Sequence, residues 1–68
     1  MEEYWVFTFG LGHENGGHYV KIYGSYYEAR DKMINKYGTG WAFQYSESEW
    51  NKLKSIGHAT ETLLEVIK

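Results

Sequence analysis

The chain has 68 residues and a formal net charge of −2, from nine acidic and seven basic side chains. This balance argues against a nucleic-acid partner, because a surface that binds phosphates needs a stripe of Lys and Arg. The chain has no Cys, which excludes disulfides and thiolate metal sites, so its three Trp, seven Tyr and three Phe must supply much of the stability of a small core.

The length predicts one domain, residues 1–68, near the lower size limit for a single hydrophobic core. No stretch has the apolar length of about 18 residues that marks a membrane span, and no signal-peptide pattern is present. The sequence therefore predicts a cytosolic protein without a membrane partner.

The first strand is predicted over residues 4–11, after a frayed lead-in at residues 1–3. Its odd positions are aromatic and its even positions are partly apolar: Trp5, Phe7 and Phe9 against Tyr4, Val6 and Thr8. Since successive side chains of a strand point to opposite faces, both faces of this strand carry apolar groups. This pattern favours a central position in a sheet.

A glycine-rich loop, residues 10–18, is predicted to form a hairpin, because Asn15-Gly16 is a strong turn signal. We expect Gly16 and Gly17 to supply backbone conformations with positive φ. The loop leads into a second, strictly alternating strand, residues 18–23. Glycine loops that hold phosphates run from a strand into a helix, whereas this one joins two strands, so a structural hairpin is favoured over a nucleotide site.

Two capping boxes mark the starts of two helices. Ser25 and Glu28 begin a helix predicted over residues 26–37, and Ser46 with Glu49 begins a second that is predicted to run to about Ile56. Tyr45 and Trp50 stand at the two positions of a hydrophobic staple around the second box.

The third strand is predicted over residues 41–45, with Trp41, Phe43 and Tyr45 facing one way. The tail, residues 58–68, carries its apolar side chains at helical spacing and is predicted to be a short amphipathic helix. Alone it would be marginal in water, so it must dock on this chain or on another.

The predicted fold class is α+β, with the element order β-β-α-β-α-α. A right-handed crossover through the first helix places the third strand beside the first, which gives a three-stranded antiparallel sheet of order 2-1-3. The helix-covered face would hold Trp5, Phe7, Phe9, Val20, Ile22, Trp41, Phe43 and Tyr45.

The other face supplies the candidate binding residues, which are Tyr4, Tyr19, Lys21, Tyr23 and Gln44. Exposed aromatic side chains can stack single-stranded bases, but this use needs surrounding Lys and Arg, and Lys21 stands almost alone. The second helix or the tail could instead cover this face. It could also be a protein interface, since Tyr and Trp are enriched at binding hot spots.

The loop supplies a second candidate group, which consists of His13, Glu14, Asn15 and His18. Zinc wants three or four well-placed ligands, and no motif ties a Ser or Cys nucleophile to these histidines. We therefore predict solvated loop histidines, with no metal, no cofactor and no catalytic residue.

The predicted tail helix presents Leu63, Leu64 and Ile67, which is more apolar surface than one small sheet can easily hide. A two-fold dimer is the commonest way to bury such a surface. We therefore expect a homodimer, or a dimer of dimers, through the C-terminal helix, with Tyr19 and Tyr23 as further candidate contacts.

Four segments carry a resemblance to a known family: residues 5–12 (WVFTFGLG), 17–22 (GHYVKI), 28–30 (EAR) and 41–45 (WAFQY). With them the chain resembles short, mostly uncharacterised proteins of phages and prophages of Gram-positive bacteria. The resemblance covers about residues 4–50 and leaves out the tail from Lys52. It implies a small protein made in the host cytoplasm, and small phage proteins of this kind often inhibit host defence machinery or assist phage replication.

The leading hypothesis is therefore a non-enzymatic, phage-encoded protein that inhibits a host defence protein by direct contact. The alternative is a nucleic-acid-binding or nucleotide-binding accessory protein that uses the Tyr-rich sheet face and the glycine-rich loop. A metal-dependent enzyme is a third hypothesis, and it would require bound metal.

Overall fold

The computed structural model describes residues 3–68, so the first two residues of the predicted lead-in lie outside it. The elements in chain order are β1 Tyr4–Thr8, β2 His18–Tyr23, α1 Tyr26–Tyr37, β3 Phe43–Ser46, α2 Glu47–Ser55 and β4 Thr62–Ile67. The strands form one sheet of order β3-β1-β2-β4, in which β1 is antiparallel to both of its neighbours and β4 is parallel to β2. The α+β class and the predicted order of the first three strands are confirmed.

The tail forms a strand and not the amphipathic helix predicted for residues 58–68. It extends the sheet along β2, so the sheet is four-stranded and mixed instead of three-stranded and antiparallel. The register shifts at Leu64, because Tyr19 lies opposite Leu63 and the next residue of β2 lies opposite Glu65. This bulge places Leu63 and Val66 on one face of the sheet, three residues apart, a spacing that also falls on one face of a helix.

The third strand begins at Phe43 instead of Trp41, because the chain bends at Ala42. Trp41 packs edge-on against Phe7, with ring centroids 5.2 Å apart, on the face that α1 covers. Phe43 and Tyr45 lie opposite the even positions of β1 and therefore on the other face. The prediction that all three aromatic residues share the helix-covered face is wrong.

β1 is buried on both faces. The core under α1 consists of Phe7, Phe9, Val20, Ile22, Ala29 and Met33. α2 packs on the opposite face, where Val6, Thr8 and Trp50 are buried. The central position predicted for this strand is thus confirmed, and the sheet lies between the two helices.

Both helices begin with the predicted capping boxes. The backbone N–H groups of Ser25 and Ser46 donate to the carboxylates of Glu28 and Glu49, and these bonds lower the pKa of both carboxyls. α1 has the predicted bounds, whereas α2 ends one residue early and leaves Ile56 exposed. Neither helix in the described part of the chain has the length and apolar character needed to cross a membrane.

Glu65 connects β4 to α1. Its carboxylate accepts hydrogen bonds from the Lys36 ammonium and the Tyr37 hydroxyl, and Ile67 of the same strand packs against the core. The bond from Lys36, followed by that from Tyr37, lowers the pKa of Glu65. Burial and the bond to Glu65 raise the pKa of Tyr37 to about 12. The tail is therefore held by polar contacts as well as by the sheet.

We expect Phe7→Ala to lower the free energy of unfolding by about 3–5 kcal/mol, because it empties the centre of the core. A loss of this size is comparable to the whole stability of such a small domain. Thermal unfolding followed by circular dichroism should therefore show no cooperative transition. Leu11→Ala is the control, since Leu11 is 94% exposed, and a Phe7→Ala protein that melts close to the wild type would contradict the packing.

We expect Gly16→Ala to destabilise the loop by roughly 1–3 kcal/mol, through crowding. Gly17 has a positive φ of 83°, but Gly16 does not, so the predicted reason is wrong for Gly16. A Cβ atom at Gly16 would lie 2.8 Å from the Gly10 carbonyl oxygen and 3.0 Å from that of His13. Gly12→Ala is the matched control, because a Cβ there meets no atom within 4 Å. Equal urea midpoints for the two variants would refute this account.

We expect Glu65→Gln to lower stability at neutral pH and to change its pH dependence. Folding lowers the pKa of Glu65, so the wild type has this stabilisation above the ordinary value of 4.5 and loses it as the pH falls further. Folding raises the pKa of Tyr37 from 10.0 to about 12, so its contribution is complete below pH 10 and declines between these values. Urea midpoints measured across the acid and alkaline ranges follow the contributions of Glu65 and Tyr37. If the urea midpoints of the wild type and of Glu65→Gln depend on pH in the same way, this contact has no role in the pH dependence of stability.

Candidate binding surface

One half of the sheet face that carries α2 is open. α2 packs mainly over β3 and β1 and reaches β2 through the contact of Trp50 with Tyr19. Among residues 3–68, no helix lies over the rest of this face at β2 and β4. The register places a set of aromatic and aliphatic side chains with one lysine on this half, next to Tyr4 of β1. We call this set the open half-face: Tyr4, Tyr19, Lys21, Tyr23, Leu63 and Val66.

The local sequence explains why these side chains point away from the core. β2 alternates strictly, so its two β-branched residues enter the core and its Tyr and Lys residues face the other way. The bulge at Leu64 brings Leu63 and Val66 to this same face, opposite Tyr19 and Lys21. Leu63 and Val66 are 45% and 41% exposed, so much of their apolar surface is in contact with water.

Lys21 lies at the centre of the open half-face, held between two tyrosine rings. Its Nζ atom is 4.1 Å from the ring centroid of Tyr4 and 5.2 Å from that of Tyr23, and both distances are typical of cation–π contacts. The Tyr4 hydroxyl also donates to the Asn51 side chain of α2 over 3.4 Å. Burial is the largest single influence on Lys21 and opposes its charge, but the neighbouring hydroxyls of Tyr23, Tyr4 and Tyr19 together outweigh it and raise the pKa of the amine. The side chain is therefore cationic at neutral pH.

Trp50 of α2 borders the open half-face. Its ring lies 4.7 Å from the ring of Tyr19 and 5.7 Å from that of Tyr45, measured between centroids. The predicted staple between Tyr45 and Trp50 is confirmed. The second helix thus partly covers Tyr19. Tyr23 lies at the other end of β2, where its neighbours are the ring of Tyr4 and the ammonium of Lys21.

Gln44 is separate from the other predicted face residues. It lies opposite Phe7 and therefore on the α1 side of the sheet. Its Oε1 atom accepts a hydrogen bond of 2.9 Å from the Trp41 indole. The bend at Ala42 explains this placement, because it reverses the faces predicted for the residues that follow.

The predicted loop residues make contacts within the loop. The His13 ring stacks on Phe9 with centroids 4.6 Å apart, and its Nδ1 atom accepts a hydrogen bond from the Asn15 backbone N–H. The Nδ1 atom of His18 lies 3.3 Å from the Gly16 carbonyl oxygen, and Glu14 is exposed. Across residues 3–68, no group of three His, Cys, Asp or Glu side chains is arranged to hold a metal ion. These contacts assign the two histidines to the structure of the loop.

The three residues predicted for a dimer interface do not form one surface. Ile67 packs against the core of its own chain, while Leu63 and Leu64 are exposed. The predicted homodimer relies on a C-terminal helix, and this segment is a strand instead. Val66 belongs to the open half-face but is not among the predicted site residues. Its β-branched neighbours, Thr62 and Ile67, are the sequence signal for a strand that could have identified it.

A comparison of the chain with protein-family models, with curated proteins and with solved structures finds no match.

Proposed function

We propose that this chain is a non-enzymatic binding protein, encoded by a phage of Gram-positive bacteria, that inhibits a host defence protein through direct contact. The phage context comes from the sequence resemblance, which covers about residues 4–50. The proposed mode of action comes from the surface: the open half-face is the feature of the described residues that carries the argument.

The composition of the open half-face supports protein binding. Three tyrosines and two exposed aliphatic residues surround one lysine, and such mixtures of aromatic, aliphatic and single charged groups are typical of the centres of protein interfaces. Tyrosine is also well suited to this task, because a large rigid ring loses little conformational entropy on binding. Contiguous exposed apolar patches on soluble proteins often mark interaction sites, and here Leu63 and Val66 are exposed beside the half-buried tyrosines.

Nucleic-acid binding has weaker support from the same residues. A base needs an accessible ring face for stacking, and the Lys21 ammonium already lies over the Tyr4 ring, 4.1 Å from its centroid. Among the six residues of the open half-face, Lys21 is also the sole cation that could contact a phosphate. The glycine-rich loop ends in a strand, so it lacks the helix N-terminus that holds phosphates in nucleotide sites.

The proposal is tested with two matched double variants. Tyr23→Ala with Leu63→Ala removes one tyrosine and one leucine from the open half-face. Tyr27→Ala with Leu11→Ala removes the same two residue types from exposed positions on α1 and in the loop, where they are 76% and 94% exposed. Each protein is expressed in Gram-positive strains that carry one defence system each, and the plating efficiency of a restricted phage is measured.

We expect the wild type and the loop-and-α1 variant to restore plating in at least one strain, and the face variant to fail there. The host protein captured by the wild type from that strain should bind the face variant at least roughly 30-fold more weakly, the loss typical of hot-spot truncation. Thermal melts confirm that both variants fold. The proposal fails if no strain loses its restriction, or if the face variant restores plating as well as the wild type. Tyr23-dependent gel shifts of single-stranded oligonucleotides would favour the alternative.

A further inference from the structure

The open half-face has the dimensions of one α-helix. Neighbouring strands lie about 4.8 Å apart, and helices pack about 8–10 Å from each other. α2 occupies the half of the face formed by β3 and β1, so the two strands β2 and β4 leave room for one further helix beside it. Trp50 and Tyr19 form the wall on the α2 side, and Leu63 with Val66 forms the floor towards the edge of the sheet.

A second copy of this chain does not provide such a helix. α1 turns its apolar residues, Ala29 and Met33, into its own core, and α2 does the same with Trp50. The outer sides of both helices are mainly polar and charged. Stacking two open half-faces on each other is also unfavourable. It would bring two copies of the central Lys21 close together, and like charges repel each other. Both features favour a different protein as the occupant.

The charge of the surface indicates the chemistry of that protein. The register places no carboxylate among the described residues of the open half-face, and its centre is the Lys21 ammonium between the rings of Tyr4 and Tyr23. At the rim, Lys68 and Glu3 lie beside Tyr23 around a shallow pocket of about 260 Å³. A helix that covers the aliphatic residues must also pass over Lys21, and an acidic side chain there would compensate the desolvation of the ammonium.

We propose that the open half-face is a docking site for an amphipathic α-helix of another protein, with an apolar stripe that covers Leu63, Val66 and Tyr19 and an acidic residue opposite Lys21. The proposal rests on the binding role proposed above and specifies its partner. In the complex, the bound helix lies beside α2 and completes the second helical layer of the sheet.

A displayed helix library tests the proposal with the full chain and without knowledge of the natural target. Each member is a single helix of about 18 residues, which exceeds the length of about 12–15 residues below which isolated helices are marginal in water. The side that faces the partner is fixed as leucine. The stripe follows the spacing i, i+3, i+4 and i+7, and the flanking positions are randomised. The library is selected on the wild type. The selected helices are then measured against Lys21→Glu, against Lys68→Glu, and against Lys52→Glu, which makes the same charge change on α2 away from this face.

We expect enrichment of Asp and Glu in one flank and at least about tenfold weaker binding to Lys21→Glu, with Lys52→Glu binding like the wild type. If Lys21→Glu does not fold, Lys68→Glu at the rim must weaken binding in the same direction. Nuclear magnetic resonance shifts on binding should cluster at Tyr19, Tyr23, Leu63 and Val66. Enrichment of basic or neutral flanks overturns the proposal, as does a set of helices that bind no better than members with a scrambled stripe. A wild type that sediments as a dimer, with the open half-face as the dimer interface, also overturns the proposal.

This test and the plating test can fail independently. If phage plating depends on Tyr23 and Leu63 but no acidic helix is selected, the binding function stands and the helical partner is wrong. If acidic helices bind but no strain loses its restriction, the docking surface stands and the counter-defence function is wrong.

Discussion

The structure depends on the burial of β1 on both faces. Phe7, together with Phe9 just past the end of the strand, lies under α1, while Val6 and Thr8 are buried on the side of α2. A strand in this position needs a neighbour on each edge for its backbone groups and a cover on each face for its side chains. β2 and β3 supply the edges, and the two helices supply the covers. In a chain without disulfides, this arrangement accounts for most of the core.

The chain topology explains why half of one sheet face is left open. α2 follows β3 directly at one edge of the sheet, whereas β4 lies at the opposite edge. Nine helical residues measure only about 14 Å and lie over β3 and β1. The link at residues 56–61 can span up to about 20 Å, enough to cross the roughly 14 Å between the outer strands. Because the chain crosses the sheet as a link and not as a helix, no second helix lies over β2 and β4 on the face opposite α1.

Local signals predicted most of this fold, and the errors arise where local irregularities change the side-chain period. Strict alternation and two capping boxes are short-range features, so they identified β1, β2 and both helix starts. A bulge at Leu64 gave the last strand a helix-like spacing, and a bend at Ala42 reversed the faces of the strand that follows. The same irregularities decide which residues of the open half-face can be predicted from the sequence. Lys21 and Tyr23 could be placed from alternation alone, whereas Val66 depended on a strand that only tertiary pairing reveals.

Two features of the proposed docking surface oppose its pairing with a second copy and leave it available to a different protein. An exposed sheet face with tyrosines and aliphatic side chains, beside an exposed edge strand, favours self-association. Here the central Lys21 places a positive charge on that face, so two copies repel each other where they would stack. The bulge at Leu64 interrupts the regular edge of β4, which hinders the addition of a second strand. Neither the charge of Lys21 nor the bulge hinders a partner that covers the face and brings its own negative charge. The two features therefore oppose self-association but not a complex between unlike chains.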